Sequence, residues 1–123
     1  MEKISIKIPA KSIYIKSLRL FSSSLASDLC FDIEEIEDIK VLISEAINYK
    51  LEGDDLEINF INSDKLLQIE VLGNDTSKDQ RALEMRNQIL KALSDDVQIE
   101  DNKIVLNLRA KWWIKIAKNT KKI

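Results

Sequence analysis

Histidine is absent from this 123-residue chain, and cysteine occurs once, at Cys30. Without an imidazole the commonest general base near neutral pH is missing. A Ser-His or Cys-His nucleophile pair is excluded. One cysteine and no histidine leave too few ligands for a zinc site, and no internal disulfide can form. No apolar run approaches the roughly 18 residues needed to span a bilayer. The opening stretch Met1-Glu2-Lys3-Ile4-Ser5-Ile6 alternates instead of presenting a signal peptide's apolar core. A cytoplasmic protein with no resident metal is expected.

Glycine and proline are also scarce, with two and one residues. Hard punctuation is therefore rare, and hydrophobic periodicity has to define the elements. Residues 2–8 alternate, with Ile4, Ile6 and Ile8 on one face, as a half-buried strand does. Pro9 ends it. Ser12 is placed to cap a helix running to about Leu29, with Leu18, Phe21, Leu25 and Leu29 on one side. Cys30 follows and is expected to be buried. Asp32 and Glu35 form an acidic capping box for a second helix, with Phe31 and Ile36 as a hydrophobic staple. Its apolar face carries Ile36, Ile39, Ile43, Ala46 and Ile47, and Gly53 and Asp54 close the region.

Leu56, Ile58 and Phe60, then Leu67, Ile69 and Val71, alternate with polar residues around the turn Asn62-Ser63-Asp64-Lys65. That pattern predicts an antiparallel hairpin. Ser77 and Gln80 form a capping-box pattern opening a third helix, with Ala82, Met85, Ile89 and Leu93 on one face. A second hairpin, Val97 to Ile99 and Ile104 to Leu108, turns at Asp101-Asn102. The order β-α-α-β-β-α-β-β predicts an α+β two-layer sandwich, a mostly antiparallel mixed sheet with helices on one face.

Charge is divided unevenly. From Arg109 onward there are six basic residues and no acid, leaving 13 basic against 21 acidic residues in the rest. The chain divides into one domain, 1–109, and a basic tail, 110–123. A tail with Trp112 and Trp113 among lysines suits an anionic membrane or nucleic acid. The favoured reading is plainer: the end of a strand, one ring packed on the helices, then a solvated terminus. Neither membrane nor direct nucleic-acid binding is expected.

Ser44-Glu45-Ala46 near the end of the second helix resembles the anti-sigma-factor serine kinases, which share the histidine-kinase-like ATPase fold. The stretch Ile8-Pro9-Ala10-Lys11, residues Ile15 to Leu20 and the helix from Glu34 to Ala46 look like that family too. The resemblance implies that Glu45 matches the base for protein phosphorylation. It implies a magnesium-binding asparagine four residues later, where this chain has Tyr49, with Asn48 one place early. One residue turns about 100° around a helix, and a tyrosine hydroxyl is a poor Mg²⁺ ligand.

The family reads the adenine amino group with an aspartate followed by spaced glycines. Here Gly73 falls at the aspartate's place, and Asp75, two residues on, is followed by no glycine. The helix start Asp79-Gln80-Arg81-Ala82-Leu83 lacks the glycine-rich turn that meets phosphates. Gly73 to Lys78 is too short for an ATP lid.

The resemblance, with these departures, implies a regulator that binds a sigma factor or its antagonist, an anti-anti-sigma protein, without nucleotide. Glu45 is then a remnant. Its contact surface is expected on the first helix at Tyr14, Lys16 and Arg19, and a homodimer is implied. The alternative is an active serine kinase using ATP and magnesium, with Glu45 as base and Asn48 and Asp75 holding the cofactor.

Overall fold

The computed structural model describes residues 1–51, 55–64 and 66–111. Strand β1 (Glu2–Ile8) leads through a 3-10 turn (Ser12–Tyr14) into helix α1 (Ile15–Asp28) and helix α2 (Ile33–Asn48). Strands β2 (Leu56–Ser63) and β3 (Leu66–Leu72) follow, then helix α3 (Gln80–Leu93) and strands β4 (Asp96–Glu100) and β5 (Lys103–Arg109). The five strands lie in the order β1-β2-β3-β5-β4, and all four described pairings are antiparallel.

Register places Ile6 opposite Ile58, Ile58 opposite Val71 and Val71 opposite Ile104, so one face of the sheet is continuously apolar. Because side chains alternate along a strand, that face carries Phe60, Ile69 and Leu106 as well. These pack in one core with Leu18, Ile39, Ile43 and Leu90 from the three helices. Phe21 of α1 meets Phe60 of β2 edge-on, with ring centroids 5.1 Å apart. The result is the expected α+β sandwich, with helices on one face.

Helix α2 starts as the sequence implies. The Asp32 side chain accepts from the Glu35 N–H, and Glu35 accepts from the Asp32 N–H. Phe31 and Ile36 both reach the core. Two other helix starts differ from expectation. Ser12 opens the 3-10 turn and makes no capping bond; α1 begins at Ile15 without a side-chain cap. The cap of α3 is Asp79, whose carboxylate accepts from the Arg81 and Ala82 N–H groups, while Ser77 Oγ accepts from the Asp79 N–H. Ser77 and Gln80 therefore form no box, because a carboxylate nearer the helix takes the free N–H groups.

Cys30 is exposed, correcting the expectation of burial. It has φ 67° just after α1. The Phe31 N–H bonds back to Ala26 and the Cys30 N–H to Ser27. This left-handed helix-ending turn points the side chain at position 30 outward. The buried residues of α3 are Arg86 and Leu90, whereas Met85 is 59% exposed. Gly53, Asp54, Lys65, Trp112 and Trp113 lie outside the described residues.

Candidate functional site

The end of α2, the loop from Gly73 to Asp79, the β4–β5 turn and the middle of α3 meet around Asp75, the carboxylate nearest in sequence to the position at which the resemblance implies an adenine-reading aspartate. Tyr49 ends α2, and its carbonyl accepts from both the N–H (2.7 Å) and the hydroxyl (3.0 Å) of Thr76. The loop is also tied to the β4–β5 turn, with the Gly73 N–H on the Asn102 carbonyl and the Asp75 N–H on that of Asp101.

The next residue, Lys50, has a fully buried side chain. Its ammonium donates to the Gly73 carbonyl at 2.6 Å, to Asp75 Oδ1 at 2.8 Å and to the Asp101 carbonyl at 3.2 Å. An ammonium has three donors, and all three are used. Arg86, 2% exposed, holds the same carboxylate with Nη1 at 2.8 Å from Oδ1 and Nη2 at 3.2 Å from Oδ2. Its Nε donates to Asn87 Oδ1, and its guanidinium lies 5.7 Å from the centre of the Tyr49 ring.

Two buried cations therefore share one carboxylate, and the two backbone carbonyls on Lys50 help offset the excess positive charge. Burial pushes the Lys50 ammonium below the usual lysine range, against the pull of Asp75. Burial would raise the Asp75 carboxyl, but the hydrogen bonds from Arg86 and Lys50 outweigh it and hold the group below its ordinary range. The Lys50 donors are all used, and both Asp75 oxygens are engaged by cations. The chemistry of the cluster is that of a clamp joining α2, the loop, the β4–β5 turn and α3.

Gly73 belongs to the same packing. A Cβ there would collide with the Leu56 side chain, with Lys50 close behind. Among the described residues, no group of three or more histidine, cysteine, aspartate or glutamate side chains could hold a metal ion. Likewise, none of their helices is long and apolar enough to cross a membrane.

Against known proteins, the chain is 35% identical over an alignment of 94 residues to a serine-protein kinase RsbW of Listeria monocytogenes, covering 71% of this chain and 58% of that protein. An RsbW of Bacillus anthracis is 37% identical over 84 residues, 63% of this chain and 52% of its own length. The chain is a homologue of the RsbW serine-protein kinases. It spans a little over half the length of these relatives. No protein-family model matches.

This relationship agrees with the anti-sigma-factor kinase resemblance carried by Ser44-Glu45-Ala46. The residues expected at a nucleotide site do not all join the cluster. Glu45 is half-buried on α2, Asn48 is exposed as the last helical residue, and neither is among the described partners of the Lys50–Asp75–Arg86 cluster. Of the residues proposed for nucleotide, Asp75 alone joins the cluster. On α1 and the preceding turn, Lys16 and Arg19 are exposed and Tyr14 half-buried. Lys16 and Arg19 line a cleft with Leu20 and Lys40.

Sequence reasoning missed Lys50 and Arg86. Arg86 had a legible signal, because it lies four residues after Ala82 and four before Leu90, on the stripe that faces the core. Lys50 had none, since its partners are 23, 25 and 51 residues away.

Proposed function

We propose that this chain is an anti-sigma-type regulator that binds a sigma factor or that factor's antagonist without using ATP or acting as a kinase. One observation carries the reading. Asp75 is the carboxylate nearest the place where the resemblance puts the adenine-reading aspartate, and both its oxygens are held by buried cations. A nucleotide that took this carboxylate from them would strip two buried cations of the anion they share, which is costly. Tyr49 and Asn48 give further support: the first stands where a magnesium ligand is needed, and the second is turned to solvent at the helix end.

The working surface in this reading is Tyr14, Lys16 and Arg19, in a homodimer. Arginine suits such a role, because its planar fork pairs with carboxylates and stacks on rings. The competing reading is a working kinase, with Glu45 as base and Asn48 on magnesium. It is favoured by the relatives' name and by the retention of Glu45 on α2.

Calorimetric titration with Mg-ATP separates the two, together with capture of partners from the native cytoplasm. No heat with nucleotide and capture of a sigma factor or antagonist support the regulator. Magnesium-dependent binding near micromolar sinks it.

A further inference from the structure

We propose that the cavity between the start of α2 and the end of α3 is a socket for the chain's own basic tail, residues 112–123, and that the indole of Trp112 fills it. The tail is then an internal strap and not a membrane or nucleic-acid arm. Neither the regulator reading nor the kinase reading bears on this.

The cavity measures about 150 Å³, the size of an engineered apolar cavity that accepts a benzene ring. Its apolar lining includes Phe31, Ile39 and Leu93, from the α1–α2 turn, α2 and α3. Glu35, Asp38 and Asp95 line it as well. Two of these acids are engaged. Glu35 Oε2 accepts from the Lys111 N–H at 3.3 Å, and Asp95 Oδ1 lies 3.3 Å from Lys111 Nζ. Asp38 is half-buried and has no hydrogen-bond or ion-pair partner among the described residues. A buried indole needs an acceptor for its N–H, and Asp38 supplies one.

The course of the chain selects the occupant. Lys111 is itself part of the cavity wall, so position 112 begins within about 3.6 Å of it, the span of one extended residue. Burial alternates along the end of the chain: Leu108 and Ala110 are buried, Arg109 and Lys111 exposed. Continued for one more residue, that alternation turns Trp112 inward and Trp113 outward. Charge agrees. Residues 112–123 carry Lys115, Lys118, Lys121 and Lys122 and no acid, whereas the first half of α2 carries Glu34, Glu35, Glu37 and Asp38. A tethered segment also has a high effective concentration at a site beside its tether, an advantage that a separate partner lacks. With the indole in place, α2 is held at both ends, by Trp112 near its start and by the Lys50–Asp75–Arg86 cluster beyond its last residue.

Trp112 and Trp113 are the only tryptophans in the chain, so fluorescence of the full-length protein tests the proposal. Trp113→Phe leaves Trp112 as the reporter, and Trp112→Phe leaves Trp113. Trp112 alone should emit at the shorter wavelength and be quenched by acrylamide roughly threefold less than Trp113 alone, as befits a ring packed on its apolar body. Plugging the cavity with Ala92→Phe, at an exposed position of its wall, should move the Trp112 emission towards that of the unfolded chain. Asp38→Lys should move it the same way and replaces the plug if circular dichroism shows that Ala92→Phe unfolds.

Equal quenching of the two reporters overturns the proposal, as does a short-wavelength Trp112 emission that survives both cavity variants. Emission that moves to longer wavelength on dilution makes a second copy the occupant and also overturns it. So does a further shift to shorter wavelength on adding vesicles of phosphatidylserine and phosphatidylcholine, which makes a lipid surface the occupant.

Discussion

Lys50 and Arg86 reach the same oxygen, Oδ1 of Asp75, each at 2.8 Å, the first from just beyond the end of α2 and the second from the middle of α3. That shared contact joins α2 to α3 across the loop after β3. It is made of buried charge, so removing any member leaves the others exposed to a strong desolvation cost.

Asp75→Asn should therefore destabilise the protein by about 3–5 kcal/mol, the range for breaking a buried ion pair from one side. Lys50→Met should cost less, about 1–3 kcal/mol, because Arg86 still neutralises Asp75, although Asp75 Oδ1 and two backbone carbonyls each lose a donor. Urea unfolding of both variants checks the order. If Asp75→Asn lost under 1 kcal/mol, the cluster would not be the clamp described.

Stability should fall in acid through Asp75. Its folded-state carboxyl is held below the ordinary range, after burial is outweighed by the bonds from Arg86 and Lys50. A carboxyl lowered on folding adds stability above its unfolded value, near pH 4, and that contribution is lost as pH drops through the folded value. The gap in urea midpoint between wild type and Asp75→Asn should accordingly close below about pH 4. Lys50 acts at the other extreme. Burial lowers its ammonium despite Asp75, so the cost of keeping it charged is relieved as pH rises from its folded value towards the ordinary lysine range. A gap independent of pH would argue against the charged pairing.

Gly73→Ala should destabilise by about 1–3 kcal/mol, as overpacking does, because the new methyl meets the Leu56 side chain. Combining it with Leu56→Val should recover part of the loss. Recovery in the double variant, read from denaturant midpoints, distinguishes a packing role for this glycine from a nucleotide-approach role.

Mg-ATP should leave the melting temperature unchanged. A ligand present at 100 times its Kd would add about 2.7 kcal/mol, an upward shift of several degrees in a domain of this size. A calorimetric scan with and without millimolar nucleotide reads the difference directly, and a clear upward shift would revive the kinase.

Asp32→Ala should cost about 1 kcal/mol, since it removes the acceptor for the Glu35 N–H at the start of α2. Helix content by circular dichroism and the unfolding midpoint together test this. An unchanged midpoint would mean that the capping box contributes nothing.

Most of the fold was legible because its signals are local. Alternation in β1, β2 and β3, and the box at Asp32 and Glu35, involve neighbours within four residues. The errors also have local causes. Ser77 looked like a cap until Asp79, closer to the helix, took the N–H groups. Periodicity puts Met85 on the apolar face of α3 with Ala82, Ile89 and Leu93, yet Met85 is exposed and Arg86 is buried, its charge matched by Asp75. The site was less legible. Glu45, Asn48 and Asp75 could be named from a motif, but which of them touch one another depends on chain reversals that no spacing rule encodes.

By itself the sequence determined the order of elements, the apolar faces and the lineage visible in Ser44-Glu45-Ala46, because periodicity and short motifs are properties of contiguous residues. Only the tertiary structure decided which charged side chains meet beyond the end of α2. Lys50, Asp75 and Arg86 meet because α2, the loop after β3 and α3 converge. A buried charge persists only where folding brings it a partner.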